Sequence, residues 1–282
     1  MNMTRKIPFS GIIFSIGLCL ALLASPIRAE PKVITFGIVP QQAATQLARL
    51  WGPVLRELSQ LSGYQLVFQT APDIPTFEKR LLDKQYDVAY MNPYHYVFFH
   101  DHAGYQAIAR ERDKRIKGII VVPLNSELQS LTDLQGLEIA FPSPGAFAAS
   151  VLPRAELKRE GVQFTPKYVS SHDSVYRAVA KNLYLAGGGI MRTYNNIPPE
   201  IRGQLRILWT TQSYTPHAFA VKETMDEETK NQLQTALMAL NDSEEKHQLI
   251  AALGFKGLEV ARNEDWDDVR SLEIDLLNNL LQ

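Results

Sequence analysis

The residues best suited to hold a small molecule in this 282-residue chain fall in four short turns. Each turn follows a β-branched or aromatic run and precedes a helical pattern. They read Pro40-Gln41-Gln42, Tyr90-Met91-Asn92-Pro93-Tyr94, Pro142-Ser143-Pro144-Gly145-Ala146-Phe147 and Ser170-Ser171-His172-Asp173-Ser174. Gln, Asn, Ser and His supply hydrogen-bond donors and acceptors. A turn that opens a helix adds free N–H groups and the positive end of the helix dipole, which together attract anions. His172 is the strongest candidate of this kind; alternatively, Ser171 or Asp173 simply caps the helix. Tyr90, Tyr94 and Phe147 fit either a ligand wall or core packing. Arg192 follows the glycine run Gly187–Gly189 and suits either a bidentate pair with an anionic ligand or an exposed surface position. The glycine run itself suits close approach of backbone to a ligand or a neighbouring element, or a tight turn.

Other chemistry is excluded by absence. The chain has no G-x-S-x-G, no H-E-x-x-H and no G-x-x-x-x-G-K-[ST], and the glycine run lacks a following Lys-Ser/Thr. His95, His100 and His102 are close in sequence. On a helix, however, His100 is rotated away, and His95 and His102 lie about 10 Å apart along the axis, too far to share one metal. They read as the polar end of a helix starting at Asn92. No cofactor is implied. A formal charge of −1, from 29 basic and 30 acidic residues, lacks the basic excess of a nucleic-acid binder.

These turns need a scaffold, and hydrophobic periodicity supplies one. Strands are expected at 33–39, 65–69, 87–91, 106–110 and 118–122. Helices between them are expected at 43–61, at 76–84 and from Pro93 through Phe99. A second unit repeats this grammar from Pro123, with strands at 138–141, 167–169 and 206–210 and helices at 147–160 and 174–181. A strand at 218–221 and helices at 227–240, 243–253 and 263–281 complete the chain. Alternating strand and helix predict α/β lobes with mostly parallel sheets. Lobe 1 is expected at 30–122 with 218–282 returning to it, and lobe 2 at 123–217. The two crossings, near 121–124 and 211–218, make a hinge and an inter-lobe ligand cleft, a preferred location for small-molecule sites. In parallel α/β sheets ligands gather beyond the carboxyl ends of strands, so all four turns are expected to face that cleft.

The amino terminus differs in character. Arg5 and Lys6 precede an almost wholly apolar run from Ile7 to Ala24, and Ile27 and Ala29 stand at −3 and −1 of a plausible cleavage point. This predicts a secretory signal peptide over residues 1–29, cleaved to release a periplasmic protein; an uncleaved anchor helix is the alternative. Its loss removes Arg5, Lys6 and Arg28 and no acid, shifting the formal charge from −1 to −4, and takes away Cys19, the only cysteine. Thiol catalysis and thiolate metal ligation are thereby excluded.

The segments GIVPQQAATQLARLWGPVLRELSQLSGY, YDVAYMNPYHYV and SHDSVYRAVA, in this order and spacing, resemble the periplasmic phosphate/phosphite/phosphonate-binding family of ABC transporters. The resemblance covers about residues 33–240. It implies a two-lobed, non-enzymatic binding protein that closes on a small anionic ligand and presents it to a membrane permease. Carried over by position, the first-lobe contacts are Gln41, Gln42, Tyr90 and Met91, and the second-lobe histidine is His172. Asn92, Ser143, Ala146, Phe147 and Arg192 complete the expected site. Two positions depart from the family pattern. The expected hydroxyl run at the first helix of lobe 2 reads Gly145-Ala146-Phe147-Ala148-Ala149-Ser150, and Leu185 stands where an acid is common. Backbone N–H groups must then hold any anion, and Phe147 suits a more aromatic or apolar ligand. The expected form is a monomer. A membrane histidine kinase, reading the ligand as a signal, is the alternative partner.

Overall fold

Glycines and prolines punctuate the first lobe into regular units. The computed structural model describes Met1, Met3, Thr4 and residues 31–281. The apolar run and cleavage point expected over residues 7–29 lie outside the described residues. Everything described below belongs to the compact unit that begins at Val33. The elements run β1 (Val33–Ile38), α1 (Ala44–Ser62), β2 (Gln65–Gln69), α2 (Ile74–Leu82), β3 (Val88–Met91), α3 (Pro93–Ala103) and β4 (Gln106–Glu111). Gly63 ends α1 in the left-handed conformation, φ 75°, with its N–H on Ser59 O. Asn92 starts α3 by accepting from His95 N at 2.8 Å, with Pro93 at the first helical position.

The second lobe comprises β5 (Gly118–Pro123), β6 (Glu138–Phe141), a wide π-turn (Phe147–Val151) running into α4 (Leu152–Arg159), β7 (Thr165–Tyr168), α5 (His172–Ala180), β8 (Ala186–Ile190), α6 (Met191–Asn196), α7 (Pro199–Arg202) and β9 (Leu205–Thr210). The chain then returns through β10 (Ala218–Val221), α8 (Glu227–Ala239), α9 (Glu244–Ala251), β11 (Leu258–Val260) and α10 (Asp267–Arg270).

Two sheets result, in the orders β11-β4-β10-β3-β1-β2 and β7-β6-β8-β5-β9. In each, the nucleus is a parallel trio, β2-β1-β3 and β7-β6-β8. The remaining strands join antiparallel, with β10 inserted between β3 and β4, so both sheets are mixed and not mostly parallel as the alternation predicted. The second sheet is covered on both faces, so β5 is apolar throughout. Ile120 and Val122 enter one core and Ile119 and Val121 the other.

Three expectations are corrected. Strand 118–122, assigned by sequence to lobe 1, pairs with β8 and β9 in the second sheet, so the first crossing occurs at 112–117. A buried apolar run carries no information about which sheet receives it. The glycine run is the strand β8, which excludes the tight-turn alternative and bears out the close approach of a neighbouring element. A Cβ on Gly188 would lie under 3.0 Å from Ala149 O, and one on Gly118 would collide with Ala148 O. Glycine there lets the π-turn carbonyls rest directly on the sheet. Finally, 263–281 is not one helix. A 3-10 turn at Asn263–Trp266 leads into α10, Glu273 in left-handed backbone (φ 47°) interrupts the helical geometry, and a separate 3-10 turn follows at Asn278–Leu281. The apolar stripe is real, but Trp266 anchors it separately by donating from Nε1 to Pro216 O at 2.9 Å.

Candidate functional site

The four turns line a single cleft of about 240 Å³ between the two sheets. Gln41 follows β1, Tyr90 and Asn92 end β3 and cap α3, Ala146 and Phe147 follow β6, and His172 opens α5. Arg192 enters from the start of α6, just after β8. These are carboxyl ends of parallel strands or the turns beyond them, where helix N–H groups point inward. Of the remaining candidates, Gln42 is exposed and Met91 is wholly buried in the first core. Ser143 shares the turn with Ala146 but is not part of the cleft wall, and its Oγ is buried without a hydrogen-bond partner.

The sequence reading missed His217, Glu111, Lys114 and Lys117, which also line the cleft. His217 and the lysines lie on the two crossing segments, 211–217 and 112–117. The run Lys114-Arg115-Ile116-Lys117 was the available signal once the first crossing is placed correctly. Arg115 is already committed, to Thr215 Oγ1 at 2.9 Å, Ser213 O at 2.9 Å and Asp268 Oδ2 at 2.6 Å.

A hydrogen-bonded chain crosses the cleft. Arg192 Nη2 donates to Gln41 Oε1 at 3.1 Å, and Gln41 Nε2 meets His217 Nε2 at 2.7 Å. Since the amide nitrogen only donates, His217 Nε2 accepts and the ring is neutral. His217 lies flat against Tyr90, centroids 5.0 Å apart and planes 17° apart. A second cross-lobe bond joins Asn92 Nδ2 to Gly145 O at 3.1 Å. Beneath it, His95 Nε2 and Glu78 Oε1 meet at 2.9 Å, with exposures of 0% and 5%. Gly145 has no room for a side chain against Glu78.

The electrostatics centre on Arg192. Burial, then the Arg192 charge, lower the His172 pKa to about 4. The same causes, followed by His95 and Lys114, lower that of His217 to about 3. Burial raises the Tyr90 hydroxyl, which Arg192 partly offsets. Burial also raises Glu111, against Lys114 and Arg192. At neutral pH both histidines are therefore uncharged donor–acceptor rings, and the guanidinium is the fixed cation facing them. In the Phe147–Val151 turn, Ser150 N and Val151 N close on Ala146 O at 2.7 and 3.2 Å, which leaves Phe147, Ala148 and Ala149 as the residues carrying the helix-start N–H groups. Ser171 Oγ caps α5 at Ser174 N, 3.1 Å, while His172 faces the cleft, so capping and cleft lining coexist in that turn. The histidines of α3 do not converge. His95 pairs with Glu78, His100 Nδ1 with Tyr105 O at 2.8 Å, and His102 packs on Phe98.

Two α/β lobes, linked by two crossings and walling a cleft at their strand ends, define a periplasmic-type solute-binding protein. A family model described as "ABC transporter, phosphonate, periplasmic substrate-binding protein" matches residues 36–266, and the chain belongs to that family. It is thus a substrate-binding component of the ABC-transporter type. It is 23% identical over 265 residues to the phosphate-import protein PhnD of Mycolicibacterium smegmatis, covering 77% of this chain and 78% of that relative. The fold matches a binding protein component of an ABC phosphonate transporter from Pseudomonas aeruginosa, with TM-score 0.77, 19% identity and coverage of 86% of each chain. It also matches PhnD1 from Prochlorococcus marinus in complex with methylphosphonate, with TM-score 0.77, 19% identity and coverage of 89% of this chain and 99% of that one.

Proposed function

We propose that this protein captures an oxyanion in the inter-lobe cleft, with Gln41, Tyr90, Asn92, Ala146, Phe147, His172, Arg192 and His217 as its contacts. Gln42, Met91 and Ser143 support the same turns from outside the wall. The observation that carries the reading is the Arg192–Gln41–His217 chain. It sets one guanidinium from the second lobe against neutral acceptors and donors of the first. An oxyanion entering there exchanges the neutral Gln41 oxygen on Arg192 for a charged partner, and charge-assisted bonds are the stronger. A ligand touching both lobes favours the closed arrangement over the open one, which is the signal a membrane permease reads. The protein acts as a monomer and without catalysis, after export through its amino-terminal segment.

Thermal melting of the chain against phosphate, phosphite, phosphonates and other oxyanions tests this. Saturating oxyanion should raise Tm through preferential binding to the folded state. A rise with an uncharged solute and none with any oxyanion overturns it. Co-reconstitution with the cognate permease should show ligand-dependent ATP hydrolysis. A response from a histidine kinase alone would assign sensing instead.

A further inference from the structure

The cleft is larger and more apolar than a bare tetrahedral oxyanion needs. An apolar cavity of about 150 Å³ admits benzene, and this one measures about 240 Å³. Its volume therefore accommodates an aromatic ring together with an acidic head. The walls agree. The turn that faces the ligand from lobe 2 carries no hydroxyl between Gly145 and Ala149, and Phe147 lines the cleft instead. From lobe 1, Tyr90 and His217 form a stacked π-pair on the same cleft. Ile74, Ile116 and Ile190 complete the apolar lining. Phe147 is itself held edge-on by Tyr214, with centroids 5.9 Å apart and planes 84° apart, so its orientation is set by packing.

We propose that the ligand is an oxyanion joined to a flat apolar body about the size of one aromatic ring, its acid on Arg192 and its body against Phe147 and the Tyr90–His217 pair. This rests on the oxyanion reading above and adds to it. Flat rings gain from offset or edge-on contact with aromatic faces beyond the area they bury, whereas a methyl group in the same cleft leaves most of the apolar wall uncovered.

Isothermal titration of the purified protein with phosphate, methylphosphonate and phenylphosphonate keeps the acidic head similar while varying the body. The expected result is phenylphosphonate binding about tenfold tighter than methylphosphonate, or more. Phe147→Leu, which keeps apolar bulk but removes the flat face, should weaken phenylphosphonate several times more than methylphosphonate and so narrow that ratio. Arg192→Ala should weaken both ligands alike. Methylphosphonate or phosphate binding as tightly as phenylphosphonate to the wild type overturns the flat-body inference and leaves the oxyanion reading standing. Failure of all three to bind overturns both. The wild-type comparison decides the matter even where a variant does not fold.

Discussion

Adding one methyl group at Gly188 tests how the ligand-facing turn is held. In Gly188→Ala the new Cβ meets Ala149 O far inside van der Waals contact and Phe141 Cδ1 at 2.6 Å. To restore an ordinary contact of 3.4 Å, the Ala149 carbonyl must retreat by about 1.5 Å. That carbonyl belongs to backbone in the π-turn, so no rotamer change relieves the clash, and β8 is interior to its sheet, between β6 and β5. Overpacking of this kind costs about 1–3 kcal/mol. For a chain of this size each kcal/mol lowers Tm by roughly 2–4 °C, so a fall of about 2–12 °C is expected in a calorimetric melt. The displaced turn also carries Phe147 and its N–H groups, so oxyanion affinity should drop by more than the stability loss alone accounts for, read by titration well below Tm. A variant that melts within about a degree of wild type and binds normally would refute the idea that these glycines exist to seat the turn on the sheet.

Arg192→Ala should weaken oxyanion binding by about 1.5–3 kcal/mol. It should also raise the pKa of both His172 and His217, since it removes a positive neighbour; unchanged histidine titrations by NMR would contradict the placement. Both histidines are held below their usual value, so the native state prefers the neutral rings. Their stabilisation is complete above about pH 6.5 and fades as pH falls through the window down to about 4 for His172 and about 3 for His217. Urea midpoints should decline across that window, and His217→Gln should flatten part of the slope. His95→Ala strands Glu78 in the buried interface and should cost about 3–5 kcal/mol in equilibrium unfolding. Gly52→Ala, inside α1 with only Arg56 Nη1 near its Cβ at 3.6 Å, should instead stabilise by about 0.5–1 kcal/mol without touching affinity.

The parallel nuclei were legible because their signals are local: alternating strand and helix runs, Asn92 with Pro93, Gly63 as a helix stop. The turns holding Gln41, Asn92, Phe147 and His172 were legible for the same reason. What stayed hidden depends on distant partners. β5 belongs to whichever sheet offers β8 and β9. The glycines of β8 make sense only once the Ala148 and Ala149 carbonyls lie above them. His217 follows Pro216 on a connecting segment with no motif around it, and its role appears only when Gln41 and Tyr90 arrive from more than 120 residues away. The 263–281 stripe has helical spacing, yet short turns bury the same residues because Trp266 is tied to Pro216 O.

The insertion of β10 between β3 and β4 has a consequence for how the chain assembles. As the polypeptide emerges from its amino end, β1 to β4 are complete by Glu111, but the strand that joins β3 to β4 does not exist until Ala218–Val221. For about a hundred residues of synthesis the first sheet is two fragments with open facing edges, a template for pairing with other chains. The lobe that starts first therefore finishes last. A cleaved or truncated product ending near the first crossing should aggregate, and the second lobe, continuous in sequence, is positioned to fold ahead of the one that precedes it.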